Sequence, residues 1–77
     1  MRLTLYGRAG CELCDDMLAV VKRVADERGL SVETVDVDTD PCLAAEYGFD
    51  VPVLSIDGEE AFRHRVTEAA LRARLRD

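Results

Sequence analysis

Hydrophobic and polar positions change rhythm several times along this chain, and each rhythm predicts an element. Residues 2–6, RLTLY, alternate and stop at Gly7, as a short buried strand does. Around Cys14 the period lengthens. Leu13, Met17, Val20, Val21 and Val24 recur at helical spacing and make one apolar face. Asp15 and Asp16 fall in the first turn of that helix, where negative charge suits the dipole. Lys22, Arg23 and Arg28 gather towards its end, and Gly29 supplies a left-handed stop. Residues 30–38, LSVETVDVD, carry β-branched Val32, Thr34, Val35 and Val37 and predict a second strand. Asp40 then caps, and Pro41 opens, a short helix running through CLAAEY to Gly48. Residues 51–66, VPVLSIDGEEAFRHRV, read as a hairpin: Val53 to Ile56, a tight turn at Asp57-Gly58, and a return strand from Glu60 to Arg65. Thr67 caps a last helix with Ala70, Leu71 and Leu75 on its inner face.

The resulting order, β-α-β-α-β-β-α, predicts an α/β fold with a four-stranded mixed sheet covered by helices. The first two strands, joined by a long helix, are expected to be parallel with a right-handed crossover, and the hairpin adds an antiparallel extension. Seventy-seven residues leave room for one domain, 1–77, and no linker, repeat or low-complexity tract interrupts it.

Charge narrows the partners. Sixteen acidic residues stand against ten Lys and Arg, a formal net charge of -6, which repels a phosphate backbone and an anionic membrane alike. Aromatics make up only 5% and Trp is absent, so no stacking platform for single strands is expected. The amino terminus, MRLTLYGRAG, lacks the long apolar core of a secretory signal, and no stretch is long and apolar enough to span a bilayer. The expected compartment is the cytoplasm, where permanent disulfides are rare.

Within that setting Cys11-Glu12-Leu13-Cys14 is the candidate chemistry. A close pair of this kind is a reversible disulfide, half of a metal site, or two small residues filling space. Zinc usually takes four Cys or His ligands, and the only soft additions are Cys42 and His64. Two cysteines at a helix start, preceded by Ala9-Gly10, fit the space-filling reading poorly.

A strand ending just before Cys-x-x-Cys, the pair opening a long helix, and a later DVPVL leading into a hairpin together resemble the thioredoxin superfamily. Within it, the short length is similar to the bacterial glutaredoxin-like proteins, and the resemblance spans essentially the whole chain. It implies a thioredoxin-like, glutaredoxin-type fold and a thiol–disulfide oxidoreductase. Cys11 matches the nucleophile, Cys14 the resolving cysteine, and Pro52 the cis proline beside the active site. Val51 matches the residue whose main chain bonds a thiol substrate, and Arg8 a basic residue facing the glutathione carboxylate. The resemblance also implies glutathione as a candidate reductant and partner, a protein disulfide as substrate, a reductase as alternative electron donor, and no bound cofactor or metal. Two departures stand out. Glu12-Leu13 replaces the Pro-Tyr common between the cysteines, and Arg63, His64 and Arg65 stand where glutaredoxins carry a Gly-Gly pair that docks glutathione.

Disulfide exchange needs a thiolate, and unpaired amides at a helix start stabilise one at Cys11. Cys14, one turn on, is placed to attack a mixed disulfide formed there. Arg8 favours the thiolate, whereas Glu12, Asp15 and Asp16 oppose it, so a reducing-to-intermediate potential is expected. The alternatives are a metal or iron–sulfur module on the same fold, and a redox-inert interaction domain. The remaining residues have quieter readings. Cys42 is expected to pack as a small residue and His64 to be solvated, while Arg63 and Arg65 either recognise a carboxylate or balance Glu59 and Glu60 across the hairpin.

Overall fold

A computed structural model describes residues 1–76. Its elements run β1 (Leu3–Gly7), α1 (Glu12–Glu27), β2 (Val32–Asp36), α2 (Pro41–Tyr47), β3 (Val53–Ile56), β4 (Glu59–Arg63) and α3 (Glu68–Leu75), with one 3₁₀ turn at Val37–Thr39. The four strands lie in the order β2-β1-β3-β4. β1 and β2 are parallel, with Leu3 opposite Val32 and Gly7 opposite Asp36. β3 runs antiparallel to β1, placing Leu3 opposite Ile56 and Tyr6 opposite Val53. This is the expected α/β, thioredoxin-like arrangement. Because β3 reverses, the end of β1, the end of β2 and the start of β3 share one edge of the sheet.

Alternation along the strands decides what each layer covers. Leu3 and Leu5 of β1 and Leu54 and Ile56 of β3 point to one face, where Met17, Val21, Val24 and Ala25 of α1 and Leu71 and Leu75 of α3 close over them. Each of these Leu, Ile, Val and Met side chains, taken fully out of water, is worth roughly 1.5–3 kcal/mol. Tyr6 points to the other face and stacks on Tyr47 of α2, with ring centroids 4.7 Å apart. All four residues of β3 are therefore buried. Arg23–Glu68 and Glu27–Arg72 tie α3 to α1 around the Leu71 and Leu75 contacts, and the Arg72–Glu68 pair within α3 links the two bridges.

Several boundaries differ from expectation. β2 stops at Asp36 rather than Asp38, because the Asp36 carboxylate accepts from the Asp38 amide (2.9 Å) and its carbonyl accepts from the Thr39 hydroxyl (2.7 Å). Those bonds turn the chain into the 3₁₀ segment and bury Val37 completely. β4 begins at Glu59 and ends at Arg63. Beyond it His64 takes φ 66°, which breaks the strand two residues before the expected end. Ala61 is an extra residue between the Leu54–Phe62 and Ser55–Glu60 pairs, a bulge that adds twist to this edge strand. The turn forms where Asp57-Gly58 predicts it, both residues having positive φ. Ala70 and Leu13 are exposed rather than inward. Leu71 and Leu75, four residues apart, already fill the inner stripe of α3, and Ala70 is rotated off it. Among the described residues no helix is long and apolar enough to cross a membrane.

Candidate functional site

Cys11 is the N-cap of α1. Its backbone is extended (φ -101°, ψ 108°), its Sγ accepts from the Cys14 amide at 3.2 Å, and its carbonyl accepts from the Asp15 amide at 3.1 Å. The sulfur occupies the place where a Ser or Asp oxygen usually satisfies a free helix amide. A disulfide joins Cys11 to Cys14 across a Cα separation of 5.2 Å. The two sulfurs differ in environment. Cys11 is half-buried at the rim, whereas Cys14 is only 6% exposed, packed against the end of β1. Gly7 makes that packing feasible, since a β-carbon there would stand 3.1 Å from Cys14 Sγ and 3.2 Å from its Cβ.

The second wall comes from the segment entering β3. The Val51–Pro52 peptide is cis, Pro52 is buried and Val51 is half-buried. Val53 pairs with Tyr6, so this segment sits at the same sheet edge as the loop that leads from Gly7 to Cys11. The end of β4 holds it from the other side, because the His64 amide donates to the Pro52 carbonyl (2.8 Å). His64 and Arg63 also face Asp50, with His64 Nε2 3.6 Å and Arg63 Nη1 2.6 Å from its carboxylate. Arg63 further pairs with Glu60, and the carboxylate pulls the guanidinium pKa up while its own is held down. That is the balancing reading for Arg63, whereas Arg65 forms no ion pair among the described residues. His64 is solvated, as expected, with its side chain 54% exposed. A groove of about 180 Å³ lies between α1 and the loop after β4, with Leu13, Met17, His64 and Arg65 among its walls.

Arg8 does something the sequence does not announce. Its Nε and Nη2 donate to the two oxygens of Asp38 (3.1 and 2.8 Å), and its Nη1 donates to the Gly48 carbonyl (2.8 Å). The bidentate pair raises the pKa of Arg8 and lowers that of Asp38, hydrogen bonding leading and direct charge attraction adding to it. Arg8 thus clamps the loop before Cys11 to the turn after β2 and to the end of α2. A β-carbon at Gly48 would collide with the Ala44 carbonyl oxygen. Asp38, Gly48 and Asp50 were not legible as site residues, because their partners lie far away in sequence and no local spacing marks them.

Cys42 is exposed on the first turn of α2, not packed as expected, because that short helix buries none of its residues fully. Among the described residues no group of three or more His, Cys, Asp or Glu side chains is gathered to hold a metal ion.

Comparison with known proteins places this geometry. A family model described as a glutaredoxin-like domain (DUF836) matches residues 2–76. An uncharacterized protein of Mycobacterium tuberculosis is 35% identical over 77 residues, spanning 94% of this chain and 79% of its own. The X-ray structure of protein XcR50 from X. campestris superposes with a TM-score of 0.80 at 33% identity, over 95% of this chain and 93% of that one. NrdH-redoxin from Escherichia coli, described as a glutaredoxin-like protein with a thioredoxin-like activity profile, gives a TM-score of 0.65 at 26% identity over 100% and 97% of the two chains.

Proposed function

The chain belongs to the glutaredoxin-like domain family, and from that premise we propose that it is a thiol–disulfide oxidoreductase working through Cys11 and Cys14. The observation that carries the reading is the asymmetry of the pair: a rim sulfur on the free amides of α1 and a sheltered sulfur one turn on, already joined as a disulfide.

In the reduced protein the Cys11 thiolate attacks one sulfur of a substrate disulfide. An S–S bond forms to Cys11, the substrate S–S bond breaks, and the departing sulfur takes up a proton. Cys14, as thiolate, then attacks Cys11 Sγ. The second substrate thiol leaves, and the Cys11–Cys14 disulfide holds the two electron equivalents' worth of oxidation. A thiol donor, glutathione or the dithiol of a reductase, reverses the sequence and returns the pair to the reduced state. Val51 offers main-chain groups to the segment flanking the substrate sulfur, and Pro52 shapes that wall. Arg8 keeps the Cys11 loop and the end of α2 in fixed relation, and its charge is largely spent on Asp38. Glu12 and Asp15 in the first turn of α1 work against a strongly acidic thiol, which supports a reducing-to-intermediate potential. The setting is the cytoplasm, where the disulfide is re-reduced after each turnover. The likeness to a redoxin with a thioredoxin-like activity profile supports the same assignment.

Single-cysteine variants test it. In a Cys42→Ser background, which removes the exposed third thiol, Cys14→Ser is expected to accumulate a mixed disulfide between Cys11 and a small disulfide substrate, visible by intact mass, whereas Cys11→Ser forms none. Equal adducts on both variants, or none on either, would contradict the assigned roles.

A further inference from the structure

The core takes in nearly every large apolar side chain. The exceptions are Met1 at 55%, Leu13 at 37% and Phe49 at 97% exposure. Two of these three lie at the same end of the sheet as the cysteines. Leu13 lies between them, and Phe49 is on the turn that leads into Val51–Pro52. Phe49 is not the product of a loose loop. The Gly48 carbonyl accepts from Arg8 (2.8 Å) and the Gly48 amide donates to Ala44 (2.9 Å). On the far side, the Asp50 amide donates to Tyr47 (2.8 Å) and its carboxylate is held by Arg63. The main chain on either side of an almost fully bare aromatic ring is therefore fixed. The backbone that carries the ring loses little freedom on docking, which suits an interface anchor.

The charge around it indicates what docks. At this edge of the sheet Asp38 is matched by Arg8, and Asp50 by Arg63. Glu12, Asp15, Asp16, Asp36 and Asp40 form no ion pair among the described residues, and Arg65 is the unmatched cation beside them. Most other basic residues lie away from this edge, Arg72 and Arg74 among them in the last turn of α3. The same field that repels a second copy of this edge, and repels the anionic disulfide of two glutathione tripeptides, attracts a cationic surface.

We propose that Phe49, with Leu13, anchors a protein partner that presents its disulfide to Cys11 on a basic, partly apolar segment, the surrounding acidic residues selecting that charge. This inference rests on the oxidoreductase reading above and adds the substrate class.

Four probes separate the outcomes: a disulfide-linked peptide dimer with Lys and Leu beside its cysteine, the same peptide with Glu for Lys, oxidised glutathione, and neutral 2-hydroxyethyl disulfide. The rate of oxidation of the reduced protein is read for each by stopped-flow or quenched mass spectrometry. The Lys peptide is expected to react about tenfold faster than the Glu peptide at low ionic strength, the gap closing in high salt. Phe49→Ser, a surface change that spares the core, is expected to lower the ratio of Lys-peptide to hydroxyethyl-disulfide rates by about tenfold. Equal rates for both peptides, oxidised glutathione outrunning the Lys peptide, or an unchanged ratio in Phe49→Ser would overturn the docking surface while leaving the redox reading intact. Failure of every probe, hydroxyethyl disulfide included, would overturn the redox reading and the inference together.

Discussion

Gly7 and Cys14 touch across the end of β1, where a β-carbon at Gly7 would stand 3.1 Å from the Cys14 sulfur. The sheltered cysteine thus reaches its position because the strand beneath it has no side chain there. Gly7→Ala forces one of the two to move by a few tenths of an ångström, and Gly7→Val by more. Overpacking of this kind typically costs about 1–3 kcal/mol. Urea unfolding of the oxidised protein is expected to shift to lower midpoint in Gly7→Ala and further in Gly7→Val. An unchanged midpoint in both would show that the contact relaxes freely.

Leu54 is the centre of the core. It is fully buried on β3, opposite Leu5, beneath the α1 and α3 layer. Leu54→Ala is expected to lose roughly 2–5 kcal/mol, the range for a large-to-small change that leaves a cavity. Since small domains hold only about 5–15 kcal/mol in total, that loss moves the denaturation midpoint a long way. Leu13→Ala, at an exposed position, is expected to leave it nearly unchanged.

The pH dependence of stability follows from the carboxylates that arginines hold. Asp38 titrates below its usual 3.8, and Glu27, Glu60 and Glu68 below 4.5, in each case chiefly through a hydrogen bond from an arginine. A carboxyl group whose folded pKa is depressed contributes stability above its unfolded value, and that contribution disappears as pH falls through the folded value. Stability is therefore expected to be level near neutrality and to decline from about pH 4.5 downwards. Asp38, Glu27 and Glu60 are solvent-exposed and Glu68 is half-buried, so salt should flatten the decline. Asp38→Asn removes one contributor, and its urea midpoint should fall less steeply with acid than that of the wild type. Parallel acid profiles would show that the Arg8–Asp38 pair carries no stability.

Much of this fold was legible because its signals are local. The helical period from Met17 to Val24, the cap at Thr67 and the turn at Asp57-Gly58 each depend on neighbours a few residues away. The failures have the opposite character. Val35 and Val37 continue a strand alternation, yet the Asp36 carboxylate captures the Asp38 amide and ends the strand between them. His64 leaves β4 at a positive φ opposite Pro52, which accepts the His64 amide but has no N–H to return the ladder bond, a partner the local pattern does not mention. At the site, the cysteine pair was visible from its spacing. Arg8 was visible as a basic neighbour, but its partners Asp38 and Gly48 are 30 and 40 residues away and become neighbours only when the sheet forms. Phe49 is the clearest case: an apolar residue that any pattern would bury, left bare by the turn that holds it.

The Cys11–Cys14 couple is the central claim, and intact mass after equilibration across reduced and oxidised glutathione buffers tests it most directly. The expected result is a two-hydrogen loss that appears as a single transition, is absent in Cys11→Ser, and has a midpoint between about -200 and -270 mV, in the range of glutaredoxins and thioredoxin. A protein that shows no transition over the series, or one that ends as a persistent glutathione adduct without the internal disulfide, would contradict it.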